Sequence, residues 1–384
     1  MMVRRYYVSP AALSSAAPRC VWQNSGMVED PVPLQQLRRA LVIKLRHHGD
    51  VLLTSPVFAA LKAHAPDCAV DALVYAETAP MLADHPAIAQ MHVIDRHWKR
   101  QGLIAQLKAE WKLLAQLRAR RYDLVIHLTE HPRGAWLTRL LGPRWSVAAK
   151  KGGRGDFWRN SFTHLYSLPA HALRHTVEKN LDALRRIGVQ PAPAERTLVM
   201  VPGPAAERRV DELLAANGLS GVGFIHLHPG SRWLFKCWPA DKMATLIDLL
   251  HSEGHAIVLT AAPEPKETAL IAAIKVETRA VIYDFSGQLS LKELAALTAR
   301  AKLFVGVDSA PMHIAAAMGT PTVALFGPSG DKEWGPWQVV HRVVTTDHSC
   351  RPCGLDGCGG GKVSDCLTTL PVARVLAACH ELLV

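Results

Sequence analysis

Residues 305–319 read Val305-Gly306-Val307-Asp308-Ser309-Ala310-Pro311-Met312-His313-Ile314-Ala315-Ala316-Ala317-Met318-Gly319. An apolar strand runs into Asp-Ser and then into an Ala-rich helix with Pro near its start. Free backbone N–H groups and the positive end of the helix dipole therefore face whatever lies beyond the strand. A diphosphate fits such an end. Read as structure alone, Asp308 caps the helix and His313 is a packed core histidine. The strand is apolar on both faces, which marks a parallel sheet covered by helices on each side.

The same rhythm recurs outward from this stretch. Short apolar runs at 222–227, 256–260, 281–284, 303–307 and 322–326 alternate with helical patterns. In the first half, runs at 41–45, 70–75, 92–94, 124–128 and 146–149 do likewise, separated by helical segments at 51–64 and 101–120. A stretch near 190–205 with Pro191, Pro193, Pro202 and Pro204 reads as a linker. The sequence thus predicts an α/β protein of two doubly wound, Rossmann-like domains, at 37–195 and 196–370. A last helix at 371–384 is expected to pack back across them. Ligands of such sheets bind beyond the carboxyl ends of the strands, so the chemistry belongs in an interdomain cleft.

Two more strand ends carry reactive groups. Lys44-Leu45-Arg46-His47-His48-Gly49-Asp50 follows the first strand, with a helix expected from Val51. Asp50 is either a plain helix cap or a carboxylate base for an incoming hydroxyl, and Gly49 would let a substrate approach the backbone. The second half opens with His228-Pro229-Gly230-Ser231-Arg232 and continues to Phe235-Lys236-Cys237-Trp238-Pro239, where N–H groups and cations converge as an anion requires. No Gly-Lys-Ser/Thr follows, and neither half has the dinucleotide fingerprint, which disfavours a nicotinamide enzyme.

The 384 residues carry a formal charge of +11, and 49% of them are hydrophobic. No apolar run is long enough to span a bilayer. Residues 1–36 lack the apolar core of a signal peptide and are expected to be a disordered extension, with Met1 or Met27 as the true start. Cys20, Cys68, Cys237 and Cys379 are scattered, as in a reducing compartment. Cys350, Cys353, Cys358 and Cys366 are clustered, and they read either as thiols packing a Gly-rich loop or as a metal site, since the first pair has zinc-gripping spacing. A basic protein could bind nucleic acid, but Asp50 and Asp308 at the strand ends would repel a phosphate backbone.

Taken together, Ile43-Lys44 with Gly49-Asp50, residues 53–57, Phe235-Lys236-Cys237-Trp238-Pro239, residues 305–317 and Leu325-Phe326-Gly327-Pro328 resemble glycosyltransferase family 9, the ADP-heptose:lipopolysaccharide heptosyltransferases. Residues 48–50, 157–159, 161–165, 235–238 and 334–337 look most like the branch that adds the branching heptose of the inner core. The resemblance implies a GT-B architecture, with the acceptor on the first domain and the nucleotide-sugar on the second. By motif, Asp50 would be the general base, and Lys236 with the Ser309 and Ala310 N–H groups would hold the diphosphate. Asp308 would hold donor hydroxyls or orient the site, His313 would support the phosphates, and Ser231 lies in the diphosphate loop. Glu264 would accept from the ribose. No cofactor is required. The partners implied are ADP-heptose and a lipid A-core acceptor, met by a monomer on the cytoplasmic face of the inner membrane. One departure is the end of the fourth strand, His127-Leu128-Thr129-Glu130, where several relatives have an acidic residue. A transferase using another nucleotide-sugar and a noncatalytic sugar-binding protein are the competing readings, and Asp50 with Lys236 argues against the second.

Residues 96–160 hold fifteen Lys and Arg against four acids, a surplus equal to that of the whole chain. Part of it lies on the 101–120 helix, whose Leu103, Ile104, Leu107, Trp111, Leu114 and Leu117 form one apolar face. Lys108, Lys112 and Arg118 are accordingly expected to meet acceptor phosphates or the anionic inner leaflet.

Overall fold

The computed structural model describes residues 30–150, 155–168 and 173–383. The expectations placed on residues 1–29, and on Lys151 and Arg154, lie outside the described residues. Strands β1 (Arg39–Ile43), β2 (Ala69–Tyr75), β3 (Gln90–Ile94), β4 (Leu124–His127), β5 (Trp145–Ala149) and β6 (His164–Tyr166) form one parallel sheet in the order 3-2-1-4-5-6. Strands β7 (Phe224–His228), β8 (Ala256–Leu259), β9 (Ile282–Asp284), β10 (Leu303–Val307), β11 (Thr322–Leu325) and β12 (His341–Val344) form a second parallel sheet with the same arrangement, 9-8-7-10-11-12.

The helices of the first unit are α1 (His48–Leu52), α2 (Ser55–His64), α3 (Leu103–Ala119), α4 (Pro132–Leu141), α5 (Asp156–Arg159) and α6 (Thr176–Arg185). Those of the second are α7 (Pro204–Ala216), α8 (Ala240–Ser252), α9 (Pro265–Glu277), α10 (Leu291–Thr298), α11 (Ala310–Ala317), α12 (Asp331–Trp334), α13 (Asp365–Thr368) and α14 (Val372–His380).

The alternation of side chains along a strand explains why the sheets must be covered twice. In β1, Ala40 and Val42 join the core beneath α2 and α6, with Phe58, Leu61 and Leu181, while Leu41 and Ile43 join the opposite core with Leu117 and Val125. In β10, Leu303, Val305 and Val307 pack on one side and Phe304 on the other. Apart from Arg39 at the start of β1, these strands are apolar throughout and were legible for that reason.

Several expectations are corrected. The helix expected over 51–64 is two helices, because Pro56 starts a new one at its second position and the Thr54 hydroxyl donates to Val51 O at 2.6 Å. Residues 30–36 are not a disordered tail. Val32 N donates to Ile187 O at 3.1 Å, Arg186 pairs with Asp30 at 2.8 Å, and Val32 and Leu37 are buried. Helix α14 does not return across both domains. It packs on α8, β11 and β12, because Val375, Ala378 and Cys379 fit the second core. On α3, only Leu113 and Leu117 are buried, and most of the expected apolar face is turned outward.

The two units touch along a packed seam. Ile314 and Ala316 of α11 and Leu294 and Ala295 of α10 join the first unit's core. The Trp337 indole donates to Arg196 O at 2.7 Å, the His175 ring stacks on it at 4.4 Å, and Lys179 pairs with Glu333 at 2.5 Å.

Candidate active site

The loop after β1 enters α1 through His47 in an extended conformation, which puts Asp50 in the first turn of the helix. Asp50 lies within the first turn and is not the cap itself. Its carboxylate is 17% exposed and lies 3.9 Å from the Arg46 guanidinium, mostly covered yet reachable from the cleft. Behind it, Lys44 is buried and donates to Leu128 O at 3.2 Å and Asn180 Oδ1 at 3.1 Å. Burial pushes its ammonium down to about 8, and the charge of Asp50 opposes that shift.

Across the cleft, β10 ends at Val307 and Ser309 takes the cap position of α11 without using its side chain to cap. The first N–H groups of α11 are left without a side-chain cap, an arrangement suited to an anion. Asp308 does not cap the helix either. Its buried carboxylate accepts from Lys236 Nζ at 2.6 Å. Lys236 ends a short turn (Leu234–Lys236) held from below, where Ser364 Oγ donates to Phe235 O at 2.6 Å and buried Trp238 donates through its indole to Leu370 O at 3.2 Å.

The halves of the site meet where Gly49 faces His313. A Cβ on Gly49 would lie 2.8 Å from His313 Cδ2, so the missing side chain serves the approach of α1 to α11, not of a substrate to the backbone. Forcing a methyl group there would cost about 1–3 kcal/mol. The His313 ring is buried, and burial holds it down to about 4 despite the carboxylates of Asp308 and Asp50. It is neutral at pH 7. Arg232 crosses the same cleft, its guanidinium 3.0 Å from His47 Nδ1.

The structure therefore brings together Asp50, Lys236, Asp308, Ser309, Ala310 and His313. Ser231 is buried in the loop after β7 and accepts weakly from Trp233 N at 3.4 Å. Glu264 is exposed at the start of α9 and makes no capping bond. The buried acid of that loop is Glu267, which the sequence reading missed. It accepts from Ala262 N at 3.1 Å, lies 3.7 Å from His228 Nε2, and fills the space a side chain on Gly230 would need. Burial alone would raise its carboxyl, but His228 and the Ala262 amide hold it below the usual range. Its signal in the sequence was a Glu in the first turn of a helix that follows a strand end. Lys108, Lys112 and Arg118 are exposed on α3, and Arg118 Nε donates to Leu140 O at 3.1 Å. Among the described residues, no three His, Cys, Asp or Glu side chains gather so as to hold a metal ion. Cys366 is buried, and the Cys358 sulfur accepts from Asp365 N at 3.3 Å.

A partly covered carboxylate on one rim, with a lysine and an uncapped helix N-terminus on the other, is an arrangement that could serve transfer of a group from a diphosphate to a hydroxyl. The family model for glycosyltransferase family 9 (heptosyltransferase) matches residues 110–363. The chain belongs to this family. Among relatives, the lipopolysaccharide heptosyltransferase 3 of Escherichia coli (strain K12) is 37% identical over 88% of this chain and 96% of its own. The crystal structure of a family 9 glycosyltransferase from Veillonella parvula DSM 2008 superposes with a TM-score of 0.79 at 23% identity, over 92% of this chain and 99% of that one. The E. coli ADP-heptose lps heptosyltransferase II superposes with a TM-score of 0.70 at 23% identity, over 90% and 98%. The family 9 fold, two doubly wound α/β units, is the one described above.

The buried imidazoles make a prediction about stability. Burial holds His85, His175 and His313 each down to about 4, whereas an imidazole in the unfolded chain titrates near 6.5. Between those values the unfolded chain binds more protons, so stability is complete above about pH 6.5 and is lost as pH falls towards 4. The melting temperature is expected to drop on the order of 5–10 °C from pH 7.5 to pH 5. Calorimetry at the two pH values checks this, and a flat melting temperature would contradict it.

Proposed function

We propose that the protein moves L-glycero-D-manno-heptose from ADP-heptose to the inner core of lipopolysaccharide, in the manner of heptosyltransferase III, with inversion at the anomeric carbon. The observation that carries this reading is the contact of α1 with α11 through Gly49 and His313, because it sets Asp50 and the Lys236–Asp308 pair on the two sides of one cleft. The 37% identity to heptosyltransferase 3 supports the choice of donor and acceptor.

In this mechanism, Asp50 takes the proton of the acceptor hydroxyl as that oxygen attacks the anomeric carbon. The carbon–oxygen bond to the diphosphate breaks, and the charge that develops on ADP is met by Lys236 and the N–H groups of Ser309 and Ala310. Asp308 anchors Lys236 and shares it with the diphosphate. His313, neutral, supports the phosphates as a hydrogen-bonding group. Ser231 and Glu264 line the donor side, and Lys108, Lys112 and Arg118 meet the phosphates of the acceptor or of the membrane. These side chains supply the charge the transfer needs without a cofactor. The enzyme acts as a monomer at the cytoplasmic face of the inner membrane; no helix among the described residues is long and apolar enough to cross one.

The test is transfer from ADP-heptose to a truncated core acceptor by purified protein, with protection by ADP compared with UDP and GDP. Expected are one added heptose by mass and protection by ADP alone. Absence of transfer to every inner-core acceptor would refute the reading, and protection by UDP or GDP would redirect it to another nucleotide-sugar.

A further inference from the structure

Helix α3 carries apolar residues on a side that covers no core. Leu103, Ile104, Leu107 and Trp111 are 79, 85, 59 and 64% exposed. At about 100° per residue they share a sector roughly 100° wide. Arg118 falls at nearly the same wheel position as Trp111 and reaches Leu140 O of α4, so the strip faces the side on which α4 lies. There, Trp136 and Leu140 are exposed as well, and the Trp136 ring lies 4.6 Å from that of Phe157. The ion pair of Glu110 with Arg133 ties the two helices together. Scattered exposed apolar residues are ordinary, but a connected surface of this kind marks a docking site.

The charge around the strip selects what docks. Lys108 and Lys112 border it on the wheel and are exposed, and the one acid of α3, Glu110, is engaged by Arg133. Arg139 lies 4.7 Å from the centre of the Phe157 ring. A second copy of this chain would bring a basic rim against a basic rim, whereas an anionic surface complements it.

We infer that this surface docks on an anionic lipid bilayer, with Leu103, Ile104, Leu107 and Trp111 entering the boundary between headgroups and acyl chains. Lys108 and Lys112 lie along the phosphates, their stems covering apolar surface while their ammonium groups stay in water. A Trp at that depth keeps its ring in the apolar layer and its N–H among the headgroups. The proposal takes its purpose from the transferase reading, since an acceptor anchored in lipid must be met at the bilayer, but the binding does not depend on that reading.

The experiment is co-sedimentation of the full chain with vesicles of phosphatidylethanolamine and phosphatidylglycerol, and with vesicles of phosphatidylcholine. The wild type is expected to bind the first and not the second. The triple variant Leu103→Ser, Ile104→Ser, Leu107→Ser should lose at least about tenfold in partitioning. Lys108→Glu with Lys112→Glu should lose about ten- to a hundredfold, less at high salt. The triple variant should keep the wild-type rate on a lipid-free core oligosaccharide, and both variants should show a raised KM on the lipid-embedded acceptor. Undiminished binding by the triple variant, or equal binding of the wild type to phosphatidylcholine, overturns the proposal. So does a dimer in sedimentation velocity that the triple variant dissolves while vesicle binding persists, because the strip would then be a contact between copies. Vesicle binding that falls as expected, in a protein that transfers no heptose, would leave the docking surface standing and remove the transferase reading.

Discussion

Replacing Asp50 with Asn is expected to lower kcat for heptose transfer by about 10²–10⁴-fold while the affinity for ADP changes less than about twofold. The substitution keeps the size of the side chain and the turn of α1. It removes the one acid of that turn, a carboxylate that is both mostly covered and open to the cleft. ADP is assigned to the opposite rim, so its binding should not register the change. Calorimetric titration with ADP beside single-turnover kinetics separates the two effects. A variant that retains the full rate removes Asp50 as the base, whatever its affinity for ADP.

Lys236→Ala is expected to reduce kcat/KM for the donor by about 10²–10³-fold and to weaken ADP binding as well. Two losses combine. The developing charge on the diphosphate loses its cation, and Asp308, deprived of its partner at 2.6 Å, stands as a bare carboxylate beside the incoming anion. The second loss can be isolated. Removing both charges with Lys236→Ala and Asp308→Asn should bind ADP more tightly than Lys236→Ala alone, because the repulsion is gone, while turnover stays low. If the double variant bound no better, the pair would not be acting on the diphosphate.

The interior of both sheets was legible because β1, β4, β7, β10 and β11 are buried on both faces, and most of their residues are apolar, with the buried His127, His226 and His228 among the exceptions. The two strands that escaped notice, β6 and β12, are sheet edges of three and four residues that carry His164, His341 and Arg342 among their few positions. They are too short and too broken by polar residues to show an apolar run, whereas the other two edges, β3 and β9, were readable. Helical periodicity behaved similarly on α3. It shows which residues share a face, but whether anything covers that face depends on the path of distant chain, and here the described residues cover only its Leu114 and Leu117 side. At the site, the strand-end positions of Asp50, Lys236 and Asp308 were visible as motifs. The pairing of Lys236 with Asp308 joins residues 72 apart, and the contact of Gly49 with His313 joins the two units, so neither has a local signature. Glu267 escaped for a related reason: its partners Ala262 and His228 are set by how the chain leaves β8 and brings the first turn of α9 to the end of β7.

The neutral imidazole at the junction of α1 and α11 also insulates. The carboxylates of Asp50 and Asp308 both act on the His313 ring, and a charged ring would bind one or both of them and tie up the electron pair that a base has to offer. Held uncharged by burial at any pH well above 4, the ring fills the space between the rims without drawing on either. In the proposed mechanism, proton transfer on one side and charge development on the other proceed as separate circuits, joined only through the sugar that passes between them.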